Sequence, residues 1–178
     1  MKKIWMGFVI AAMVCTFAGT TVNAENTFGF NLGAAVPTGD FADAYENGFS
    51  AGAIANLDTA SPIVDISLGI NYSSFEGKTY YIYYGNEYKY DSTDLITIFV
   101  GPKFGKDKGF YFLPAIALNI NEGDYRGGFD WGAGYLVPMG SGKTRVDIGV
   151  KYSLLNIIGN EDGEDTLGMF VFSVGINF

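Results

Sequence analysis

Residues 170–178 read Phe170-Val171-Phe172-Ser173-Val174-Gly175-Ile176-Asn177-Phe178. Alternate residues of an extended strand point to opposite faces. One face of this segment then carries only large apolar side chains, which are Phe170, Phe172, Val174, Ile176 and Phe178. The opposite face includes the small or polar residues Ser173, Gly175 and Asn177. Alternation over this length predicts a β-strand, and its apolar face suits lipid better than water.

Seven further segments alternate in a similar way and are separated by turn-forming residues. Each is close to the ~10 residues that a tilted strand needs to cross a membrane. With the closing segment, the predicted strands are Thr27–Val36, Gly48–Leu57, Ile63–Ser74, Thr93–Phe104, Phe110–Asn121, Phe129–Met139, Thr144–Leu155 and Thr166–Phe178. The fourth and fifth carry apolar residues on both faces. We therefore predict an all-β protein, an eight-stranded antiparallel up-and-down transmembrane β-barrel.

The connections and the aromatic residues indicate how the barrel is oriented. Three short connections, Asp58–Pro62, Gly105–Gly109 and Gly140–Lys143, alternate with longer ones, which are Pro37–Asn47, Phe75–Ser92, Glu122–Gly128 and Asn156–Asp165. Short periplasmic turns and longer outer loops are typical of outer-membrane barrels. Aromatic residues fall at both strand ends and predict two interface belts: Phe28, Phe104, Phe110 and Phe178 on the periplasmic side, and Phe49, Tyr72, Phe129, Trp131, Tyr152 and Phe170 on the outer side.

The first 24 residues have the pattern of a secretory signal peptide. Lys2-Lys3 precedes the apolar stretch Ile4–Ala18, and Val22-Asn23-Ala24 offers small residues for cleavage before Glu25. We therefore expect a cleaved signal peptide, 1–24, and a barrel domain, 25–178. The alternatives are an uncleaved anchor and a lipid anchor at Cys15.

Composition excludes several classes of function. Only 17% of the residues are charged, against about a quarter in soluble domains. A net charge of −8 argues against nucleic acid as a partner, because that affinity comes largely from Lys and Arg. The chain has no histidine, so Ser–His and Cys–His catalysis are impossible, and only carboxylate catalysis stays open. We predict a protein that is not an enzyme and has no cofactor.

Two segments resemble a known family. The closing strand, residues 170–178, resembles the assembly signal of bacterial outer-membrane β-barrels. Pro37-Thr38-Gly39-Asp40-Phe41, followed by Tyr45 and Gly48-Phe49, is similar to the first hairpin of the general outer-membrane β-barrel domain family. Residues 25–178 as a whole resemble small eight-stranded barrels of the OmpX-like type.

That resemblance implies the cell outer membrane as the location. It also implies outer-membrane lipid, lipopolysaccharide and the barrel assembly machinery as partners. It defines architecture more than function, because the family includes structural proteins, adhesins, small-ligand carriers and a few enzymes. The enzymes among these barrels resemble one another in needing a histidine base.

Charged residues also fall on the predicted lumen face: Asp65, Asp94, Lys103, Asp130, Arg145, Asp147 and Lys151. An eight-stranded barrel is only wide enough for side chains to fill it. Because buried charges must pair, we expect Arg145 and Lys151 to neutralise Asp65, Asp130 and Asp147 in a polar network. An ion or proton path is the alternative.

The second outer connection holds half of the twelve tyrosines: Tyr80, Tyr81, Tyr83, Tyr84, Tyr88 and Tyr90. Gly85-Asn86 offers a hairpin turn, so the neighbouring strands could continue above the membrane as a ribbon. The tyrosines would pack together or touch lipopolysaccharide on a rigid protruding hairpin, or they would form a recognition surface for a surface ligand or host protein. In the fourth outer connection, the acidic residues Glu161, Asp162, Glu164 and Asp165 are expected to be solvated, with a divalent cation site as the alternative.

The hypothesis from the sequence is a non-enzymatic outer-membrane barrel with a side-chain-filled lumen and a structural or surface-interaction role. One alternative is an OmpW-like carrier or narrow channel for small hydrophobic solutes. The other is a soluble, lipocalin-like ligand-binding barrel.

Overall fold

Eight long strands form a closed antiparallel barrel, and two short strands form a separate ribbon. The computed structural model describes residues 26–59, 61–82, 86–106, 108–158 and 165–178, so the predicted signal peptide lies outside the described residues. The elements are β1 (Thr27–Thr38), α1 (Asp40–Ala44), β2 (Gly48–Asp58), β3 (Val64–Phe75), β4 (Thr79–Ile82), β5 (Asn86–Lys89), β6 (Thr93–Phe104), β7 (Gly109–Asn121), β8 (Asp124–Pro138), β9 (Arg145–Ile158) and β10 (Gly168–Asn177). The predicted eight-stranded barrel is confirmed, with β6 at its predicted bounds.

The first and last long strands close the barrel. β1 pairs with β10 from Gly29 opposite Asn177 to Thr38 opposite Gly168. At the periplasmic end, the Phe28 amide donates to the Phe178 carbonyl at 2.9 Å, and the Phe178 amide donates back at 2.8 Å. Closure pairs the two strand edges that an open sheet would leave without partners.

The outer wall of the barrel is apolar. On the closing strand, Phe170, Phe172, Val174, Ile176 and Phe178 all point outward and are exposed, whereas Gly175 and Asn177 are buried inside. In the predicted outer belt, Phe49 of β2 contacts Tyr72 of β3, with ring centroids 5.8 Å apart, and the other members form a chain of contacting rings on β8, β9 and β10. The ring centroids are 4.5 Å apart for Phe129 and Trp131, 6.4 Å for Trp131 and Tyr152, and 4.7 Å for Tyr152 and Phe170. Such a surface matches the hydrocarbon and interface of a bilayer.

The third outer connection is shorter than predicted. We expected a loop over Glu122–Gly128, but β7 and β8 pair up to Asn121 opposite Asp124. Only Glu122 and Gly123 form the turn, and their φ angles are 47° and 108°. A two-residue hairpin turn of this kind needs positive φ at both positions. The alternation of short and long connections therefore fails at this hairpin.

The first outer connection contains a helical turn that the sequence reading missed. α1 spans Asp40–Ala44 and follows Gly39, whose φ of 58° favours glycine. Asp40 and Asp43 lie in its first turn, where negative charge is favourable. The rings of Phe41 and Tyr45 contact each other, with centroids 4.9 Å apart, and four-residue spacing brings such side chains together on a helix.

An apolar cluster, here called the outer plug, fills the lumen below α1. Phe41 reaches it from α1 and packs edge-on against Phe75, with ring centroids 5.0 Å apart. The buried members of the plug are Ala35, Phe41, Phe75, Leu95, Leu155, Met169 and Val171, with Tyr45 and Leu167 packed against them. These side chains come from α1 and from strands all around the barrel, so the plug ties its outer end together.

Replacing Phe41 with Ala is expected to weaken this end of the barrel. Loss of a buried ring should lower the free energy of unfolding by about 3 kcal/mol, because the surrounding strands cannot collapse into the space. Phe41→Leu, the matched control, should cost about 1 kcal/mol. Urea unfolding of the refolded protein in detergent micelles measures both values. Equal stability of wild type and Phe41→Ala would contradict a packing role for this ring.

Candidate functional site

A buried ion pair lies in the lumen between β8 and β9. The Lys151 ammonium donates to Asp130 Oδ2 at 2.9 Å, and the side chains are 14% and 2% exposed, respectively. Lys151 also lies over the Phe99 ring, with its nitrogen 5.2 Å from the ring centroid. The pairing keeps Asp130 from being an uncompensated buried charge.

Apolar side chains surround this pair on one side of the lumen. Phe99 of β6 packs with Leu113, Ala115 and Ala117 of β7, and Ile54 and Tyr111 pack against them. This inner cluster explains why the fourth and fifth predicted strands carry apolar residues on both faces. One face meets lipid and the other meets the inner cluster.

A second group of lumen residues links two more of the predicted charges, Lys103 and Asp147. The Lys103 ammonium lies over the Tyr111 ring, 4.8 Å from its centroid. The Tyr111 hydroxyl donates to Asp147 Oδ1 at 2.9 Å, and Asn177 Nδ2 donates to Asp147 Oδ2 at 3.1 Å. Asp147 is thus held by neutral donors from β7 and from the closing strand.

At the periplasmic mouth, the ammonium of Lys106 lies between two carboxylates. It contacts Asp58, and its distance to Asp65 Oδ1 is 3.2 Å. The hydrogen bond to Asp58 raises the pKa of Lys106, and Asp65 adds to the effect. Lys106 was not among the predicted lumen charges, because it lies in a turn, outside the alternating strand pattern.

A small cavity opens beside this cluster. Its volume is about 60 Å³, and it is lined by Thr27, Asp58, Asp65, Lys103, Lys106, Leu136, Arg145 and Asn177. That is room for a few water molecules only.

Two further predicted lumen charges lie near the ends of their strands, and of these Arg145 stays on the lumen side, where it lines the small cavity with Asp65. Arg145 donates to the carbonyl of Lys143 at 2.8 Å, at the periplasmic rim. Asp94 lies on the outward face of β6, where its carboxylate accepts a hydrogen bond from the Ser74 hydroxyl at 2.8 Å. The expectation that Asp94 faces the lumen is therefore wrong. The strand begins on its inward face at Thr93, which sets the opposite parity for Asp94.

The tyrosine-rich connection forms the ribbon of β4 and β5. Tyr80 pairs with Tyr88 across the strands, and Tyr81 pairs with Glu87. The centroid of the Tyr80 ring is 5.9 Å from that of Tyr88 and 4.9 Å from that of Tyr90. These three rings, here called the tyrosine face, share one side of the ribbon. Tyr83 and Tyr84 lie outside the described residues, as does the side chain of Tyr81.

Contacts with the first outer connection hold the base of the ribbon in place. Tyr45 and Gly77 form a β-bridge, and the Lys78 amide donates to the Ala44 carbonyl at 2.8 Å. The Lys78 ammonium donates to the Ala42 carbonyl at 2.6 Å. Any Cβ on Gly77 would lie 1.9 Å from the Tyr90 carbonyl oxygen, so this close approach requires glycine.

The tyrosine face is continuous with the outer plug. The Tyr90 ring lies 6.4 Å from the Tyr45 ring, and Tyr45 in turn contacts Phe41 and Phe75. An unbroken series of aromatic rings therefore joins the inside of the barrel to the outermost described part of the chain.

The outer loops are acidic. The pKa of Asp40 is raised because its carboxyl hydrogen-bonds that of Asp165, whose charge adds to the effect. The fourth outer connection is described only at its two ends, 156–158 and 165, and Glu161, Asp162 and Glu164 lie outside the described residues. Within the described ranges, no group of three or more His, Cys, Asp or Glu could hold a metal ion.

No helix of the described part of the chain is long and apolar enough to cross a membrane.

Comparison with solved structures identifies the fold. The crystal structure of Neisserial surface protein A superposes with a TM-score of 0.58 at 15% identity, over 88% of this chain and 98% of that chain. The crystal structure of Ail, the attachment invasion locus protein of Yersinia pestis, gives 0.52 at 10% identity, over 88% and 100%. The chain has the fold of the small eight-stranded outer-membrane barrels. Together with the apolar exterior, this fold places the protein in an outer membrane. No family model and no curated protein matches the sequence.

Asp130→Asn should destabilise the barrel strongly. The substitution keeps the shape but leaves Lys151 buried without its counter-ion, at a cost of about 3–5 kcal/mol. Adding Lys151→Met to Asp130→Asn should recover most of the loss, because no buried charge remains. Urea unfolding of the two single variants and the double variant forms a thermodynamic cycle. Additive effects would show that the two side chains do not stabilise each other.

The ion pairs of Lys106 should stabilise the fold at neutral pH, and this contribution should disappear at strongly alkaline pH. Because its pKa is raised above the ordinary 10.5 in the folded state, its contribution is complete below pH 10.5. It is lost as the pH rises through the folded-state pKa. The difference in stability between wild type and Lys106→Gln should therefore be constant from pH 7 to about pH 10 and shrink above pH 10.5. A difference that grows above that pH would contradict the pairing with Asp58.

Proposed function

We propose that this chain is a non-enzymatic outer-membrane barrel that contacts partners outside the cell through its tyrosine ribbon. The observation that carries the proposal is the tyrosine face itself. Tyr80, Tyr88 and Tyr90 are 40%, 47% and 44% exposed, although their rings are ordered against one another and against Tyr45. Rigid, half-exposed tyrosines give a large contact area at low entropic cost, which suits binding.

The lumen supports a role outside the barrel rather than passage through it. The outer plug, the inner cluster and the ion pair of Asp130 with Lys151 occupy successive parts of the interior. A carrier for small hydrophobic solutes would need an opening past Phe41 and Phe75. The absence of histidine from the sequence supports a role without catalysis.

The names of the two similar structures support a surface role. One similar structure is by name a surface protein, and the other is an attachment invasion locus protein. We extend to this chain the same general role. We also propose that lipid and lipopolysaccharide surround the barrel and that the assembly machinery recognises the outward face of Phe170, Phe172, Val174, Ile176 and Phe178.

Removing the ribbon should abolish surface binding and leave the barrel intact. Thr79 and Lys89 are cross-strand partners, so residues 80–88 can be replaced by Asn-Gly, which closes a hairpin between them. Lys78 and Tyr90, which contact the first outer connection, are retained. We expect bacteria that display this variant to lose adhesion to epithelial monolayers. Unfolding and heat-modifiable gel migration should match those of wild type.

The control is Glu122→Asn, which gives the turn of a different outer hairpin the same Asn-Gly sequence. Its adhesion should equal that of wild type. If the ribbon variant adheres as well as this control, the ribbon is not the recognition element.

Reconstituted wild-type protein should produce no stable single-channel steps in planar bilayers. The plug and the inner cluster leave little space for a hydrated ion. Reproducible steps of constant size would instead favour the channel or carrier function.

A further inference from the structure

The tyrosine face lies within a strongly acidic surface. The two connections that contain and support it, residues 40–46 and 76–91, hold six acidic residues: Asp40, Asp43, Glu46, Glu76, Glu87 and Asp91. All six are exposed. The same segments hold only two basic residues, Lys78 and Lys89. The surface around the rings therefore carries a negative charge.

Both lysines are already engaged. The Lys78 ammonium is held by the Ala42 carbonyl at 2.6 Å, and Lys89 pairs with Glu76 at 3.8 Å. Neither nitrogen is therefore positioned to cover the tyrosine rings with positive charge. The faces of the rings are electron-rich and attract cations, best of all the flat guanidinium of arginine.

We propose that the tyrosine face binds an extended polypeptide segment rich in arginine and lysine; this inference rests on the proposed function and names the class of partner. Guanidinium groups stack on Tyr80, Tyr88 and Tyr90, and the surrounding carboxylates pair with the remaining positive charges. The carboxylates also increase the rate of encounter with a cationic chain, because complementary charge steers association.

The shape of the ribbon suits an extended partner. Among the described residues, β4 and β5 pair only with each other, so each keeps one strand edge unpaired. An edge of this kind can accept an added strand through backbone hydrogen bonds. Side chains of the added strand then alternate, and those on one face reach the tyrosine rings.

The same charges disfavour anionic partners. Six acidic residues against two basic ones leave these segments net negative, and this charge repels the phosphate groups of lipopolysaccharide and the sulfate groups of polysaccharides. The tyrosine face is therefore better suited to a cationic segment than to the lipid surface below it.

The test uses the full barrel refolded in a neutral detergent. The refolded barrel is titrated into fluorescein-labelled nona-arginine, nona-lysine or nona-glutamate. Fluorescence anisotropy of the peptide is measured at low and high salt. We expect nona-arginine to bind more tightly than nona-lysine and nona-glutamate not to bind. Equal affinity for arginine and lysine peptides would overturn the stacking contact.

Variants separate the rings from the charges. Changing Tyr80, Tyr88 and Tyr90 together to Leu should weaken nona-arginine binding roughly tenfold, because the apolar bulk stays and the ring faces are lost. The same three positions changed to Phe should stay within about threefold of wild type, since the ring faces are kept. Equal binding by the Leu and Phe variants would overturn the role of the rings.

Charge neutralisation has its own matched control. Glu46→Gln, Glu76→Gln and Asp91→Asn together should weaken binding and reduce its salt dependence. The control neutralises acids at the third outer hairpin, with Glu122→Gln and Asp124→Asn, and should change neither. Equal effects of the two sets would mean general attraction to an acidic protein, and the proposal would be wrong.

The peptide titrations test the class of partner, and the adhesion experiment tests the surface role, so the two hypotheses can be rejected independently. If no cationic peptide binds but replacing residues 80–88 still abolishes adhesion, the partner class is wrong and the surface role stands. Binding of heparin or lipopolysaccharide that is lost in the Leu variant leads to the same conclusion. If the ribbon replacement leaves adhesion unchanged, the proposed function fails, whatever the peptides show.

Discussion

Closure of the barrel is the constraint on which the rest of the structure depends. Lipid offers no hydrogen bonds to an exposed strand edge, so every edge in the membrane must be paired. Here β1 and β10 meet that demand over their whole length, down to the mutual backbone bonds of Phe28 and Phe178. Eight strands then fix a narrow interior, which side chains must fill. The polar and apolar groups inside are consequences of that width.

The chain fills its interior differently at the two ends. Towards the periplasm the lumen is polar, and each carboxylate there has a donor nearby: Lys106 for Asp58 and Asp65, and Tyr111 with Asn177 for Asp147. At the outer end Phe41 packs over strand residues in the apolar plug, beside buried polar side chains that bond one another, such as Ser73 with Ser50. Charges without water need partners at fixed positions. An apolar plug tolerates a helical turn from a loop, because shape and volume are its main requirements.

Strand positions could be predicted from the sequence because lipid outside and side chains inside impose a period of two. That rule placed Lys103, Asp130, Asp147 and Lys151 in the lumen, and it placed Thr93–Phe104 at its observed bounds. It could not assign their partners. Tyr111 is an aromatic residue with a polar role, and Lys106 lies in a turn, so neither stands out in an alternating pattern. The face of Asp94 was predicted wrongly because it lies next to the end of β6, where a shift of one residue reverses the direction of a side chain.

The outer connections of the barrel could not be predicted from alternation, although they determine the surface that the barrel exposes outside the cell. No periodicity marks Phe41 as a core residue, but its ring packs with Phe75 inside the barrel. Tyr45 then connects that core to Tyr90, and the hydrogen bonds of Lys78 hold the two connections together. A free two-stranded hairpin is only marginally stable in water. The ribbon keeps its form because its base is an extension of the plug, so the packing that fills the lumen also fixes the position of the tyrosine face.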